Sequence, residues 1–365
     1  MRSIIVLSNH PTWTYKLRCE VFESLVRIGY RVIVCVGYGL EVEKLKKIGC
    51  EYVDIPYNRR SINPLNEIKL FFTYRELIKG IRPDIVLTYT IKPNIYGAYL
   101  CKKYRIPCLV NITGLGSALE KPGIAQYFFL RLYRYVFKDV FRVFLQNTYN
   151  QELFWQKEIV HGNDVLLPGS GVNLEKFIPL PFPSSDTIEF AFICRILKAK
   201  GIEQYLWAAR YLKNKYPQTR YHICGFCDQN YMDMIEGFVK SGDVIYHGMV
   251  EDTREIYKSI HCTVLPSWYS EGMNNVLLES AACARPIITT NRPGCGEIVD
   301  DGVNGYVVKA QDTGDLIRLM EKFILLPQER KIEMGLSGRK KVERQFDRNI
   351  VVDKYLESIN SLFEL

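Results

Sequence analysis

Short β-branched runs alternate with longer amphipathic stretches along most of the chain, a rhythm that predicts βαβ units and parallel sheets. In the first half the pattern predicts strands at 3–7, 31–36, 52–55, 85–88, 108–112 and 142–145. Helical periodicity over 15–28 and 67–81 lies between them, closed by Gly29 and by Arg82-Pro83. The rhythm restarts in the second half, with strands at 189–193, 220–224, 244–246, 262–265, 286–289 and 305–308. Helices there are predicted at 201–215, 275–284 and 313–326. The stretch 167–185 (LPGSGVNLEKFIPLPFPSS) breaks the rhythm with four prolines and no period, as a linker does.

This organisation predicts an α/β protein of two Rossmann-like domains facing across a central cleft. The expected division is 1–167, a linker at 168–187, 188–345, and a closing helix in 346–365. Open α/β sheets bind ligands at the carboxyl ends of their strands, so such an architecture suits an enzyme with two substrates.

Charge divides the same way. Residues 1–187 carry 25 basic and 16 acidic side chains, whereas 188–365 carry 23 and 24. The whole excess of the +8 net charge therefore sits in the first half, which should face something anionic. No run approaches the ~18 apolar residues that would span a bilayer, and the start of the chain lacks a signal-peptide pattern. The expectation is a cytoplasmic protein, soluble or peripheral. The 11 cysteines show no framework spacing. One pair, Cys224-Gly-Phe-Cys227, has redox-motif spacing but follows a strand without opening a helix, and no second pair completes a zinc site. Neither G-x-G-x-x-G after a first strand nor G-x-x-x-x-G-K-[ST] occurs, which argues against dinucleotide oxidoreductases and P-loop enzymes.

The segment from Ser267 to Pro286 carries the most chemistry. It reads as strand, loop and helix, with Gly272 allowing close backbone approach and Asn274 or Asn275 as N-cap. The helix start would offer unpaired amides and a positive dipole end to a diphosphate. Glu271 and Glu279, with seven residues between them, flank that start. Carboxylates repel phosphate but accept well from vicinal hydroxyls, so a sugar on either side of the diphosphate would satisfy both.

These residues resemble the E-x7-E motif of the retaining glycosyltransferases of family 4, which have the GT-B fold. The resemblance continues in Arg195-Ile-Leu-Lys-Ala-Lys200-Gly201, similar to the family's R-L-x-x-x-K-G, and in Gly225 after a strand. It also covers Gly294-x-Gly296-Glu297-Ile-Val-x-Asp301-Gly302-x-Asn304-Gly305 and Gly169-Ser-Gly171-Val-Asn173-Leu-x-x-Phe177, the latter with Asn where Asp is usual. The first half resembles enzymes that extend capsule, O-antigen or oligosaccharide units on undecaprenyl diphosphate, through Thr90-Ile-Lys92-Pro93-Asn94-x-Tyr96-Gly97 and Asn111-x-Thr113-Gly114-Leu-Gly116-Ser117. The usual glycine-rich first loop is replaced by Asn9-His-Pro-Thr-Trp13.

The resemblance implies transfer of a hexose or N-acetylhexosamine from a nucleotide sugar, UDP-linked, to a lipid-diphosphate glycan. Arg195 and Lys200 would grip the donor diphosphate and, with Glu271 orienting the sugar, form the catalytic set. Glu279 would hold the ribose, and Gly225, Gly272, Met273, Asn274 and Asn275 would line the donor site. His10, Lys92, Gly114 and Gly116 are the acceptor-side candidates. No D-x-D occurs, so neither metal nor cofactor is expected.

Arg131, Arg134, Lys138 and Arg142 step by three, four and four residues through an aromatic segment, the spacing of one helical face. Such a face suits an anionic bilayer, here the inner membrane surface; a buried helix with a solvated basic edge reads equally well. Basic clusters at 44–47, 59–60 and 102–105 add to the first reading. No recognition module points to nucleic acid. The rival functions are a GT-B sugar-nucleotide epimerase and a silent membrane scaffold of the same fold.

Overall fold

A computed structural model describes residues 1–55, 63–114, 123–227, 230–269 and 271–364. The chain forms two compact units, Met1–Gly171 with Arg348–Leu365, and Val172–Asp347.

The first unit holds seven parallel strands. They are β1 (Ser3–Leu7), β2 (Arg31–Val36), β3 (Glu51–Asp54), β4 (Ile85–Tyr89), β5 (Cys108–Ile112), β6 (Arg142–Leu145) and β7 (Asp164–Leu166), in the order β3-β2-β1-β4-β5-β6-β7. Every residue of β1, β4 and β5 is buried, as expected of central parallel strands covered on both faces. Alternation sorts the side chains. Ile4 and Val6 join Phe22 and Leu25 of helix α1 (Pro11–Arg27), while Ile5 and Leu7 pack with Tyr74 of α3 (Pro64–Ile81) and Ile95 of α4 (Ile91–Tyr104). Between α1 and α3 lies the short α2 (Val42–Lys47), and α5 (Ile124–Phe137) and α6 (Thr148–Gln156) follow α4.

The second unit is a six-stranded parallel sheet, β8 (Ile188–Ile193), β9 (Thr219–Cys224), β10 (Ile245–Tyr246), β11 (Cys262–Leu265), β12 (Ile287–Thr290) and β13 (Gly305–Val308), in the order β10-β9-β8-β11-β12-β13. Its helices are α7 (Ile202–Lys215), α8 (Met232–Lys240), α9 (Arg254–Ser259), α10 (Asn275–Ala282), α11 (Thr313–Ile324) and α12 (Gln328–Gln345). Both sheets reverse strand order beside their first strand, the switch point where α/β proteins take ligands. The fold is thus α/β with two Rossmann-like units.

The proline-rich stretch does not run as free linker throughout. Gly171 ends the first unit, and Phe177 is buried in the second unit's core. The last helix, α13 (Arg348–Asn360), returns to the first unit, where Arg348 pairs with Glu20 at 2.7 Å and donates to the Gly171 carbonyl at 3.0 Å. Tyr355, fully buried, stacks on Phe144 at 4.5 Å and donates to Asn111 Oδ1.

Candidate active site

The site of the second unit is built on loops leaving β8, β9 and β11. After β8 the chain passes exposed Arg195 into a 3-10 turn at Lys198–Lys200, then through Gly201 into α7. This turn is stitched to the loop after β11: the Ala199 carbonyl accepts from Trp268 N (2.9 Å), Tyr269 N (3.1 Å) and Ser267 Oγ (3.3 Å). The stitching buries Lys200, only 5% exposed, with its ammonium 5.2 Å from the Tyr269 ring centre. Lys200 forms an ion pair with Glu271 Oε1, which also accepts from Asn274 Nδ2 at 3.1 Å.

Asn274, not Asn275, caps α10; its Oδ1 accepts from Leu277 N at 3.2 Å, while Asn275 is the first helical residue. The loop before the cap is held by the segment after β12, where the Pro293 carbonyl accepts from Glu271 N (3.2 Å) and the Gly294 carbonyl from Asn274 N (2.8 Å). Gly294 itself has φ +80°, and a Cβ there would lie 2.9 Å from Glu271 Cβ. Gly225, beyond β9, is equally constrained: φ is +144° and a Cβ would meet the Cys194 carbonyl at 1.8 Å. Its amide donates to the Gly248 carbonyl at 2.7 Å, and Tyr246 Oη donates to its carbonyl at 3.0 Å.

Glu279, on the next turns of α10, is half-buried and accepts from Thr253 Oγ1 at 3.1 Å. Backbone amides at the helix start, a buried ammonium, an exposed guanidinium and two acceptor carboxylates therefore share one unit's ligand-binding edge. Amides and cations are the chemistry that pairs with a diphosphate, and carboxylates the chemistry that accepts from vicinal hydroxyls. Among the described residues, no group of three or more His, Cys, Asp or Glu could hold a metal ion.

The family model for glycosyl transferases group 1 matches residues 187–325, and the model for glycosyl transferase 4-like domains matches 3–147. The chain belongs to the group 1, family 4-like glycosyltransferases. It is 26% identical to the N,N'-diacetylbacillosaminyl-diphospho-undecaprenol α-1,3-N-acetylgalactosaminyltransferase of Campylobacter jejuni, over 96% of each chain. It is 23% identical to the UDP-Gal:α-D-GlcNAc-diphosphoundecaprenol α-1,3-galactosyltransferase of Escherichia coli, over 73% of each. The crystal structure of Anabaena HepE in complex with UDP and glucose superposes with a TM-score of 0.80 at 15% identity, covering 99% of this chain and all of that one. Such a likeness shows the fold, which is GT-B.

Not every site candidate of this glycosyltransferase lands where the sequence suggested. The Met273 side chain is buried in the second unit's core. Asn304 lies in the turn before β13, where it accepts from Asp300 N at 2.7 Å and donates to the Ile298 carbonyl at 3.0 Å. Cys224 and Cys227 are not joined by a disulfide, and burial pushes the Cys224 thiol up to about 12, which removes the thiolate that redox chemistry needs.

In the first unit, His10 stands at the N-cap of α1; its carbonyl accepts from Thr14 N and Oγ1 at 3.0 and 2.8 Å, and its ring lies 6.1 Å from Trp13. Lys92 pairs with Glu67 Oε1 at 2.6 Å, and Tyr96 donates to Glu67 Oε2 at 2.8 Å, so α3 and α4 are tied together. Gly114 follows β5 with φ +149°. Gly116 and the 59–60 cluster lie outside the described residues.

The basic stripe needs correction. Helix α5 ends at Phe137; Lys138 lies just beyond it and Arg142 opens β6, so the four cations do not share a helical face. The cause is sheet pairing: Phe141 N donates to the Cys108 carbonyl at 3.0 Å, drawing the chain alongside β5. Arg134, still exposed, donates through Nε to the Lys157 carbonyl at 3.0 Å and pairs with Glu158 at 3.4 Å, while Arg131, also exposed, lies 5.0 Å from the Tyr127 ring.

Sequence reasoning missed Thr253 and Tyr257, which buttress α10 from α9; Tyr257 Oη donates to the Val276 carbonyl at 3.0 Å. Nothing in their composition sets them apart. Only the packing of α9 against α10 reveals them.

Proposed function

We propose that this glycosyltransferase moves a hexose or N-acetylhexosamine from a UDP-sugar, with retention, onto a glycan carried on undecaprenyl diphosphate. The observation that carries the donor half is the pairing of buried Lys200 with Glu271 at the capped start of α10. A diphosphate seated there meets Lys200, Arg195 and the α10 amides, leaving Glu271 for sugar hydroxyls and Glu279 for the ribose. These fixed positive groups meet the charge that grows on the departing phosphate, the work a metal does elsewhere, so the step is proposed to be metal-independent. The bond from the anomeric carbon to the phosphate oxygen breaks, and the acceptor oxygen bonds on the same face. Its proton passes to the departing phosphate. The acceptor half rests on the Campylobacter jejuni and Escherichia coli relatives, whose names carry undecaprenyl-linked diphosphates.

A thermal-shift and turnover screen over UDP-, GDP- and ADP-sugars tests this reading. The expected result is stabilisation by a UDP-sugar alone, about 2.7 kcal/mol at a hundredfold excess over Kd. Transfer should then require a lipid-diphosphate acceptor, survive EDTA and keep the anomeric configuration. Release of free UDP and an altered sugar without acceptor would replace transfer by epimerisation.

The proposed place of work is the cytoplasmic face of a bacterial inner membrane. Among the described residues, no helix is long and apolar enough to cross a bilayer. What supports peripheral docking is the outer side of the first unit. Leu65, Ile68 and Phe72 step by three and four along α3 and are all half or more exposed, Leu65 at 73%. Ile124, Tyr127 and Phe128 are exposed on α5, with Arg131 beside them. Both helices pack on α4. Apolar and aromatic groups beside cations fit an anionic interface. Ile68→Ser with Phe72→Ser should reduce binding to phosphatidylglycerol vesicles by tenfold or more in a flotation assay, since each side chain is already half buried and stands to gain about half of the ~1.5–3 kcal/mol of full burial. Unaltered flotation would remove α3 from the docking surface.

A further inference from the structure

We infer that Thr253 is a positioning residue for the donor: its hydroxyl orients the Glu279 carboxylate and thereby sets the preference for ribose over deoxyribose. The inference rests on the proposed role of Glu279 as the ribose acceptor. Thr253 Oγ1 donates to Glu279 Oε2 at 3.1 Å across 26 residues of sequence. A carboxylate on a flexible glutamate stem samples several rotamers, and two vicinal hydroxyls need both oxygens turned to the same side. A fixed donor on Oε2 favours that rotamer.

The threonine is itself fixed. Its β-branched side chain is stiff at χ1. Its carbonyl accepts from Ile256 N (3.1 Å) and Tyr257 N (3.0 Å), which anchors it at the head of α9. Tyr257 is fully buried, and its Oη bond to the Val276 carbonyl at 3.0 Å ties α9 to the second residue of the helix that carries Glu279. Burial first, and then the Glu279 charge, push the Tyr257 hydroxyl well up. Donor and acceptor thus ride on elements locked to each other, which is the condition for a side chain to act through another with precision.

Binding of UDP and of 2′-deoxy-UDP by isothermal titration tests this without knowledge of the sugar or acceptor. Wild type should prefer UDP by tenfold or more, the order expected for hydrogen bonds to a charged group. Thr253→Val should weaken UDP by roughly five- to tenfold and leave 2′-deoxy-UDP nearly unchanged, so that the preference collapses. Thr253→Ser, which keeps the hydroxyl, should restore it, and Thr253→Ala serves if valine crowds the site. Equal weakening of both nucleotides by valine and alanine would assign Thr253 a merely structural part and overturn the inference. Glu279→Gln separates the two levels. Loss of preference in that variant with retention in Thr253→Val would sink the role of Thr253 alone. Retention in both, or equal binding of the two nucleotides by wild type, would sink the ribose reading with it.

Discussion

Lys200→Ala is expected to lower kcat by about 10²- to 10³-fold, the usual effect of removing one preorganised charge from a transition state. The argument starts from burial. An ammonium is rarely hidden without a partner, yet Lys200 is 5% exposed, held under the loop after β11 and neutralised by Glu271. Water cannot replace it there, so the charge growing on the departing phosphate would be met by Arg195 and the α10 amides alone. The backbone bond from Lys200 N to the Leu197 carbonyl at 3.0 Å does not depend on the side chain, and circular dichroism should show an intact fold. Glu271→Gln supplies the complementary result. With its carboxylate gone, residue 271 no longer competes with phosphate for Lys200 as an ion-pair partner, so UDP should bind at least as tightly as to wild type while turnover falls. A Lys200→Ala enzyme within threefold of wild-type kcat would end the assignment of this lysine to the chemistry.

The ion pair of Lys200 with Glu271 was not legible in the sequence. The motif spacing placed Arg195, Lys200, Glu271 and Glu279 on loops and a helix start, because apolar strands and a capping Asn leave strong local signals. That Lys200 and Glu271 grip each other comes from Ala199 and the loop after β11 being stitched together, which spacing does not encode. The strands were legible for a similar reason: β1, β4 and β5 are buried on both faces and read as unbroken apolar runs. The basic stripe failed because charges at intervals of three and four fit a helix whether or not the helix continues. Val140 is buried in the core and Phe141 joins the sheet, and it is this apolar pairing that ends α5. Contacts spanning long separations, such as Tyr355 with Asn111, left no local trace at all.

Arg285→Met should lower the stability of the second unit by about 3–5 kcal/mol, several hydrogen bonds from a charged donor at ~1.5 kcal/mol or more each. Arg285 is 1% exposed, and its named partners are backbone carbonyls rather than carboxylates. Nε donates to the Tyr257 carbonyl at 2.6 Å, Nη1 to Leu180 at 3.1 Å and Nη2 to Pro181 at 2.7 Å, with longer bonds to Cys283 and Ala284 at 3.4 Å. Burial pulls the guanidinium down to about 10, still charged at neutral pH. One side chain therefore closes the end of α10, the end of α9 and the tail of the proline-rich stretch. Methionine keeps much of the volume but leaves those carbonyls buried without a donor. At ~2–4 °C per kcal/mol for a unit of this size, the melting transition should fall by about 10 °C. The first unit has its own core, so calorimetry should resolve one moved and one unmoved transition. Because the same guanidinium anchors the helix whose start is proposed to hold the diphosphate, the UDP-induced shift should shrink along with the transition it stabilises. A Tm within 2 °C of wild type would mean that the carbonyls find other donors and that α10 is held by its apolar face alone.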